Sequence, residues 1–199
     1  MILIDNYDSF TYNIVQYLQI LGVNPYIFEN DKVTVKHLQT LDFNKIIISP
    51  GAGNPDNAGI SLSVIAEFYK TKKILGICLG HQCIAQFFGA KVIKAEPTHG
   101  KISQIYFDKR CELFLGIPQE FEACRYHSLV VENINGDLVS AAWTKDGTNM
   151  ALMHTKYPIY GTQFHPEAIL TQYGKRLIKN FLEIPMKNNV SNSKICYKK

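Results

Sequence analysis

The sequence predicts an α/β fold: an open, mostly parallel twisted sheet with helices on both faces, enlarged in its second half by added β-hairpins. Three features carry this expectation. Short apolar runs alternate with segments of helical spacing through the first half, the order of strand and crossover helix that builds parallel sheets. Those runs are apolar without alternation, as strands covered on both faces are. From about Ala90 the texture changes to short β-type runs separated by turn residues.

Taken in order, Ile2–Ile4 reads as a strand, and Phe10, Ile14, Tyr17, Leu18 and Leu21 recur at helical spacing before Gly22 stops the helix. Pro25–Phe28 is a second strand, Val35–Leu41 a short helix, and Lys45–Ile48 a third strand. A loop rich in Gly, Pro and Asn covers Ser49–Gly59, and a helix runs from about Ser61 to Lys70. Lys73–Ile77 is a fourth buried strand, followed by a helix over Leu79–Phe88 that Gly89 closes. The later β-type runs are Ile102–Phe107, Glu122–Arg125, Val130–Asn133, Val139–Thr144, Met150–His154 and Ile159–Phe164. Gly136-Asp137 and Asp146-Gly147 mark two of the turns between them. A helix over Tyr173–Leu182 closes the fold, which gives one domain over residues 1–184 and a polar tail, expected to be partly disordered, over 185–199.

Bulk composition narrows the function classes. A chain of 199 residues buries roughly 70% of its unfolded surface and needs no covalent staples. The net charge of +4 comes without a dense Lys/Arg cluster, so no nucleic-acid partner is expected. The five cysteines, at 78, 83, 111, 124 and 196, are odd in number and form no Cys-x-x-Cys pair, which argues against disulfides and zinc and for a reducing compartment. No basic stretch leads into a long apolar segment, so neither a signal peptide nor a membrane span is expected. Asn, Lys and Ile are plentiful, which fits an AT-rich genome of the kind organelles carry; the expected location is the cytoplasm or a plastid stroma.

The segment Leu75-Gly76-Ile77-Cys78-Leu79-Gly80-His81-Gln82 carries the chemistry. A buried strand ends at Ile77, a helix begins within a residue or two, and Cys78 sits on the bend with glycines two positions to either side. This is the nucleophile-elbow pattern with Cys in place of Ser. The bend aims the sulfur at the amino end of the following helix, whose free N–H groups and dipole favour an anion. A thiolate nucleophile needs a base, which later serves as acid for the leaving amine. Among the six histidines, His165 in Gln163-Phe164-His165-Pro166-Glu167 stands out: it follows a strand, and Glu167 is placed to accept its second ring N–H. His81 lies on the elbow helix and reads as structural. For the developing oxyanion, the Leu79 N–H offers one donor and the Gly51-Ala52-Gly53 loop another; taken alone, that Gly-x-Gly could equally be a phosphate loop or a plain turn.

With these residues in hand, the chain resembles the class I, triad-type glutamine amidotransferases from Leu3 to about Leu182, and within them the component II proteins of anthranilate synthase and aminodeoxychorismate synthase. Gly76–Gln82 looks like the family's nucleophile motif and Gln163–Glu167 like its His-Glu motif. The resemblance places the triad on Cys78, His165 and Glu167. It places glutamine contacts on Gly51, Ala52, Gly53, Leu79, Gln82, Ser128 and Leu129. Ile4–Asn13 is similar to the opening of component II proteins, and Pro97–Lys101 to a segment near the synthase subunit. Ala52 stands where Pro is common and Ala168 where Ser is usual. The activity implied is hydrolysis of L-glutamine, with ammonia passed to a large chorismate-using synthase subunit in a heterodimer or heterotetramer, without metal or organic cofactor. The product would be anthranilate for tryptophan, with aminodeoxychorismate for folate as a further possibility. A stand-alone cysteine hydrolase, a non-catalytic subunit on the same scaffold, and a glutaminase serving another synthetase are the competing readings.

Overall fold

The computed structural model describes residues 1–186; the expected tail lies outside the described residues from 187 onward, as does Cys196. The first half follows the doubly wound pattern. Strand β1 (Ile2–Asn6) leads through helix α1 (Thr11–Ile20) to β2 (Tyr26–Glu29). Helix α2 (Val35–Gln39) leads back to β3 (Lys45–Gly51), and α3 (Ser61–Phe68) to β4 (Lys73–Ile77). Helix α4 (Leu79–Phe87) begins one residue after β4 ends. The second half consists of β5 (Lys91–Phe107), β6 (Glu120–Glu132), β7 (Leu138–Trp143), β8 (Asn149–His154), β9 (Ile159–Thr162) and α5 (Gly174–Glu183).

The nine strands among the described residues join one sheet in the order β2-β1-β3-β4-β9-β8-β7-β5-β6. The ladders from β2 to β9 are parallel, and those from β9 outward are antiparallel. The predicted α/β class therefore stands, with an antiparallel wing as wide as the parallel part. The sequence runs Glu122–Arg125 and Val130–Asn133 merge into β6, and the run Ile102–Phe107 extends back to Lys91 as β5. Strand β9 stops at Thr162 rather than Phe164, although Gln163 N still donates to Met150 O of β8 at 2.8 Å.

Side chains of alternate sheet residues feed two cores. On one face, Leu3, Ile47, Leu75 and Ile77 meet Ile14, Val15 and Leu18 of α1 and Leu177, Ile178 and Phe181 of α5. On the other, Ile2, Ile4, Ile46, Ile48 and Ile74 meet Leu38 of α2, Val64, Ile65 and Phe68 of α3, and Ile84 of α4. Each fully buried Ile or Leu contributes about 1.5–3 kcal/mol, and burial on both faces explains the absence of polar alternation in the parallel strands. The chain steps outward from β1 to β2, then the opposite way from β3 to β4, so the order reverses beside β1. Ligand sites in open sheets of this kind lie at such a reversal, beyond the carboxyl ends of the strands. Asn6, Gly51, Ile77 and Thr162 end their strands there.

Candidate active site

Cys78 occupies the single residue between β4 and α4, with φ 52° and ψ −100°. A side-chain-bearing residue held there stores roughly 1–3 kcal/mol of strain. Two hydrogen bonds hold the bend: Cys78 N donates to Thr162 O at 2.7 Å, and Gln82 N donates to Cys78 O at 3.1 Å. The flanking glycines are required by close approach. A Cβ on Gly76 would lie 2.3 Å from the Gly80 carbonyl, and one on Gly80 would lie 2.3 Å from the Ile48 carbonyl oxygen. Helix α4 can therefore start directly against the sheet only if both positions lack a side chain.

The His165 ring arrives from the far end of the chain. Its backbone N donates to Cys124 O at 3.0 Å, and its carbonyl accepts from Thr171 Oγ1 at 2.6 Å. Phe10 and Tyr126 pack edgewise on the ring, with centroids 5.7 and 5.3 Å away. Nδ1 donates to Glu167 Oε1 at 2.6 Å, with both side chains buried. Nε2 is buried and makes no hydrogen bond of standard geometry, and Glu167 Oε2 has no partner among the described residues. Burial alone would lower the His165 pKa, but Cys78 and Glu167 act against it more strongly and hold it well above the ordinary value. With Nδ1 taken by Glu167, Nε2 is the nitrogen left for the neighbouring sulfur. The structure thus brings Cys78, His165 and Glu167 together.

Beside the sulfur lies a cavity of about 230 Å³, small for a drug-sized ligand and suited to one of amino-acid size. Gly51, Ala52, Gly53, Cys78, Gln82, Ser128 and Leu129 line it together. The Leu79 side chain instead packs into the core around α3 and α4, which leaves only its backbone N–H to serve the site. Larger hollows of about 410 and 420 Å³ lie over the antiparallel wing, but neither contains a cysteine or histidine. His81 does not line the cavity. Its ring is wholly buried against Gly161, and burial pushes its pKa down to about 3, so it remains neutral. Among the described residues no cluster of His, Cys, Asp and Glu is arranged to hold a metal ion.

Four further residues shape the site without standing out in the sequence. His99, Tyr126 and His127 line the cavity, and Gln163 Nε2 lies 3.6 Å from the Cys78 sulfur. All four fall within the segments Pro97–Lys101, Arg125–Leu129 and Gln163–Glu167, but nothing local distinguishes them there. His127 is neutral, since burial first and Arg125 second push its pKa down to about 4. Its Nε2 accepts from Arg125 Nε at 2.9 Å, which leaves Nδ1–H to donate to Leu129 O at 3.0 Å. That pair of bonds fixes the Ser128-Leu129 wall.

The family described as glutamine amidotransferase class-I matches residues 2–184. The chain is 46% identical to the rice anthranilate synthase beta subunit 1, chloroplastic, over 92% of its own length and 66% of the rice protein. It is 44% identical to anthranilate synthase component 2 of Thermus thermophilus, over 93% of this chain and 92% of that one. It is 46% identical to the aminodeoxychorismate/anthranilate synthase component 2 of Bacillus subtilis, over 92% and 95%. The crystal structure of a putative GMP synthase subunit from Thermoplasma acidophilum superposes with a TM-score of 0.80 at 31% identity, covering 92% of each chain.

Proposed function

The chain belongs to the class-I glutamine amidotransferases, and from that premise we propose that it is the glutaminase component of anthranilate synthase, with Cys78, His165 and Glu167 as its triad. One observation carries the assignment of roles: a cysteine on a positive-φ elbow at a helix start, facing an imidazole whose other nitrogen is held 2.6 Å from a buried carboxylate.

Glutamine enters the cavity with its side-chain amide toward the sulfur. Cys78 gives its proton to His165 Nε2, and the thiolate attacks the amide carbon. The oxyanion rests on the Leu79 N–H and the Gly51–Gly53 backbone, donors of a kind worth about 2.7–4 kcal/mol each. Glu167 stabilises the imidazolium and holds its tautomer. His165 then protonates the amide nitrogen, the C–N bond breaks and ammonia departs, leaving a γ-glutamyl thioester on Cys78. Water, deprotonated by His165, attacks that thioester. The C–S bond breaks, the sulfur regains its proton from His165, and glutamate leaves. Gln82 and the Ser128-Leu129 wall orient the substrate.

The ammonia goes to a large synthase subunit that converts chorismate, in a heterodimer or heterotetramer, with neither nucleic acid nor membrane as partner. Exposed apolar side chains at Ile169 and Leu170, directly after the triad carboxylate, suit a protein interface. All four cysteines among the described residues are free, and no described helix is long and apolar enough to cross a membrane. The free thiols fit a reducing location, in the cytoplasm or a plastid stroma. The Bacillus relative's double name favours aminodeoxychorismate as a second product.

The test is to combine the chain with the large subunit of each synthase and to follow product formed from chorismate. With the correct subunit, wild type supports product from glutamine, whereas Cys78→Ser loses that activity and keeps synthesis from ammonium salts. Equal glutamine use by wild type and Cys78→Ser would remove the assignment.

A further inference from the structure

Besides the imidazole, the nucleophile has a polar neighbour that the triad does not account for. Gln163 is wholly buried, and its Nε2 donates toward the Cys78 sulfur at 3.6 Å. Its oxygen accepts from Gln82 Nε2 at 3.1 Å, and the same Gln82 nitrogen lies 3.4 Å from Leu129 O. The backbone N of Gln163 is itself fixed by a 2.8 Å bond to Met150 O. A chain of two carboxamides therefore runs from the cavity wall to the sulfur.

The direction of this chain follows from the chemistry. Gln82 presents a donor to Gln163, so the Gln163 oxygen is occupied and its N–H groups are what the sulfur meets. The neutral thiol has another use for its proton, because Cys78 Sγ donates to Tyr126 O at 3.8 Å. A thiolate cannot donate and can only accept. The Gln163 contact therefore strengthens as charge builds on sulfur, whereas the Tyr126 contact is lost. Charge builds there twice in the cycle, before attack and again when the thioester breaks. A donor aimed at that atom binds both moments more tightly than the neutral states between them.

We propose that Gln163 is a catalytic residue, a fixed N–H donor to the Cys78 thiolate whose orientation is set by Gln82. The inference rests on Cys78 being the nucleophile. It implies that glutamine, on engaging Gln82 at the cavity wall, bears on the charge state of the sulfur through one intervening side chain.

The experiment follows alkylation of Cys78 by iodoacetamide against pH, read by peptide mass, in the full chain with its synthase subunit present. The variants are Gln163→Leu, which removes the donor, and Gln163→Glu, which keeps the shape and places a carboxylate by the sulfur. Loss of one hydrogen bond to a charged group is expected to raise the alkylation midpoint by about one pH unit in Gln163→Leu, a tenfold smaller thiolate fraction at lower pH. A larger rise is expected in Gln163→Glu, with kcat reduced about tenfold and KM for glutamine changed less. Midpoints equal to wild type in both variants, with unchanged thermal transitions, would overturn the proposal. If Gln163→Leu does not fold, an unchanged midpoint in Gln163→Glu overturns it alone. Failure of the underlying reading looks different: wild type alkylated at Cys78 would still hydrolyse glutamine.

Discussion

His165 and Glu167 form a pair whose worth depends on pH. The ring's pKa in the folded chain is raised above the ordinary 6.5, so the pair's contribution to stability is fully present below 6.5. It is lost as pH climbs through the elevated folded value. Glu167→Gln removes the carboxylate while keeping its shape, and breaking a buried pair of this kind costs about 3 kcal/mol or more. The stability deficit of Glu167→Gln, measured by urea unfolding, is therefore expected to be greatest at pH 6 and below and to narrow on the alkaline side. Its kcat should fall by roughly 10²–10⁴-fold, the usual range for impaired acid–base catalysis. A deficit of constant size at every pH would mean that the ring is neutral throughout. At this scale the grouping of Cys78, His165 and Glu167 was legible because each half announces itself locally, as Gly-x-Cys-x-Gly and as His-x-Glu. Gln163 was not, since its contact with sulfur joins positions 85 apart, and His127 reads as unremarkable until Arg125 and Leu129 are seen on its two nitrogens.

At the level of elements, the end of β1 supports the loop that follows β3. Asn6 N donates to Ser49 Oγ at 2.8 Å and Asn6 Nδ2 to Ser49 O at 3.0 Å, while Asn6 Oδ1 accepts from Asn30 Nδ2 at 2.8 Å and Ser61 Oγ at 3.0 Å. Gly51, two residues beyond Ser49, lies so close that a Cβ there would be 2.6 Å from Asn6 Cβ. The buried part of the Ile4–Asn13 segment thus braces the Gly51–Gly53 loop, whatever its exposed tyrosines contact. Asn6→Ala leaves three buried partners unmatched and is expected to cost about 1–3 kcal/mol. Because the loop loosens, KM for glutamine should rise several-fold, while the rate of Cys78 alkylation stays near wild type. Lost stability with an unchanged KM would show that the network serves the fold alone. The elements of the parallel half were legible to within three residues, for their strands are built on short apolar runs. Of the β5–β6 ribbon only separate pieces were, and its first part, Lys91–Lys101, was not. Much of Lys91–Lys101 is exposed, and register shifts after Lys94 and His99 interrupt the period-two pattern that marks a strand.

Across the whole molecule, the two ends of the sheet are separable. The parallel pairing of the first four strands followed from their alternation with helices. The insertion of β9 between β4 and β8 did not, because it pairs segments far apart in the chain and no local signal encodes it. That insertion sets Thr162 beside the elbow at the carboxyl end. The opposite end is closed by Lys73, the first residue of β4 and buried at 4% exposure. Its Nζ donates to the Leu182 carbonyl at 3.1 Å and to that of Ile184, tying the end of α5 to the sheet. By the rise of a strand, Lys73 lies roughly 16 Å from Cys78. Lys73→Met should therefore cost about 1–3 kcal/mol and lower Tm by a few degrees, with kcat/KM for glutamine within about twofold of wild type. The effect also carries a pH signature. Burial pushes the Lys73 amine down to about 8 from the ordinary 10.5, so between those values the unfolded chain holds a proton that the folded chain has released. Stability from this group consequently rises with pH across that window, is fully present above 10.5, and is lost as pH falls through 8. The stability gap between wild type and Lys73→Met should widen from pH 8 to pH 10 in chemical-denaturation curves. A gap that stays flat over that range would place the amine's titration outside it, and a loss of glutamine turnover in Lys73→Met would show that the two ends of the sheet are coupled.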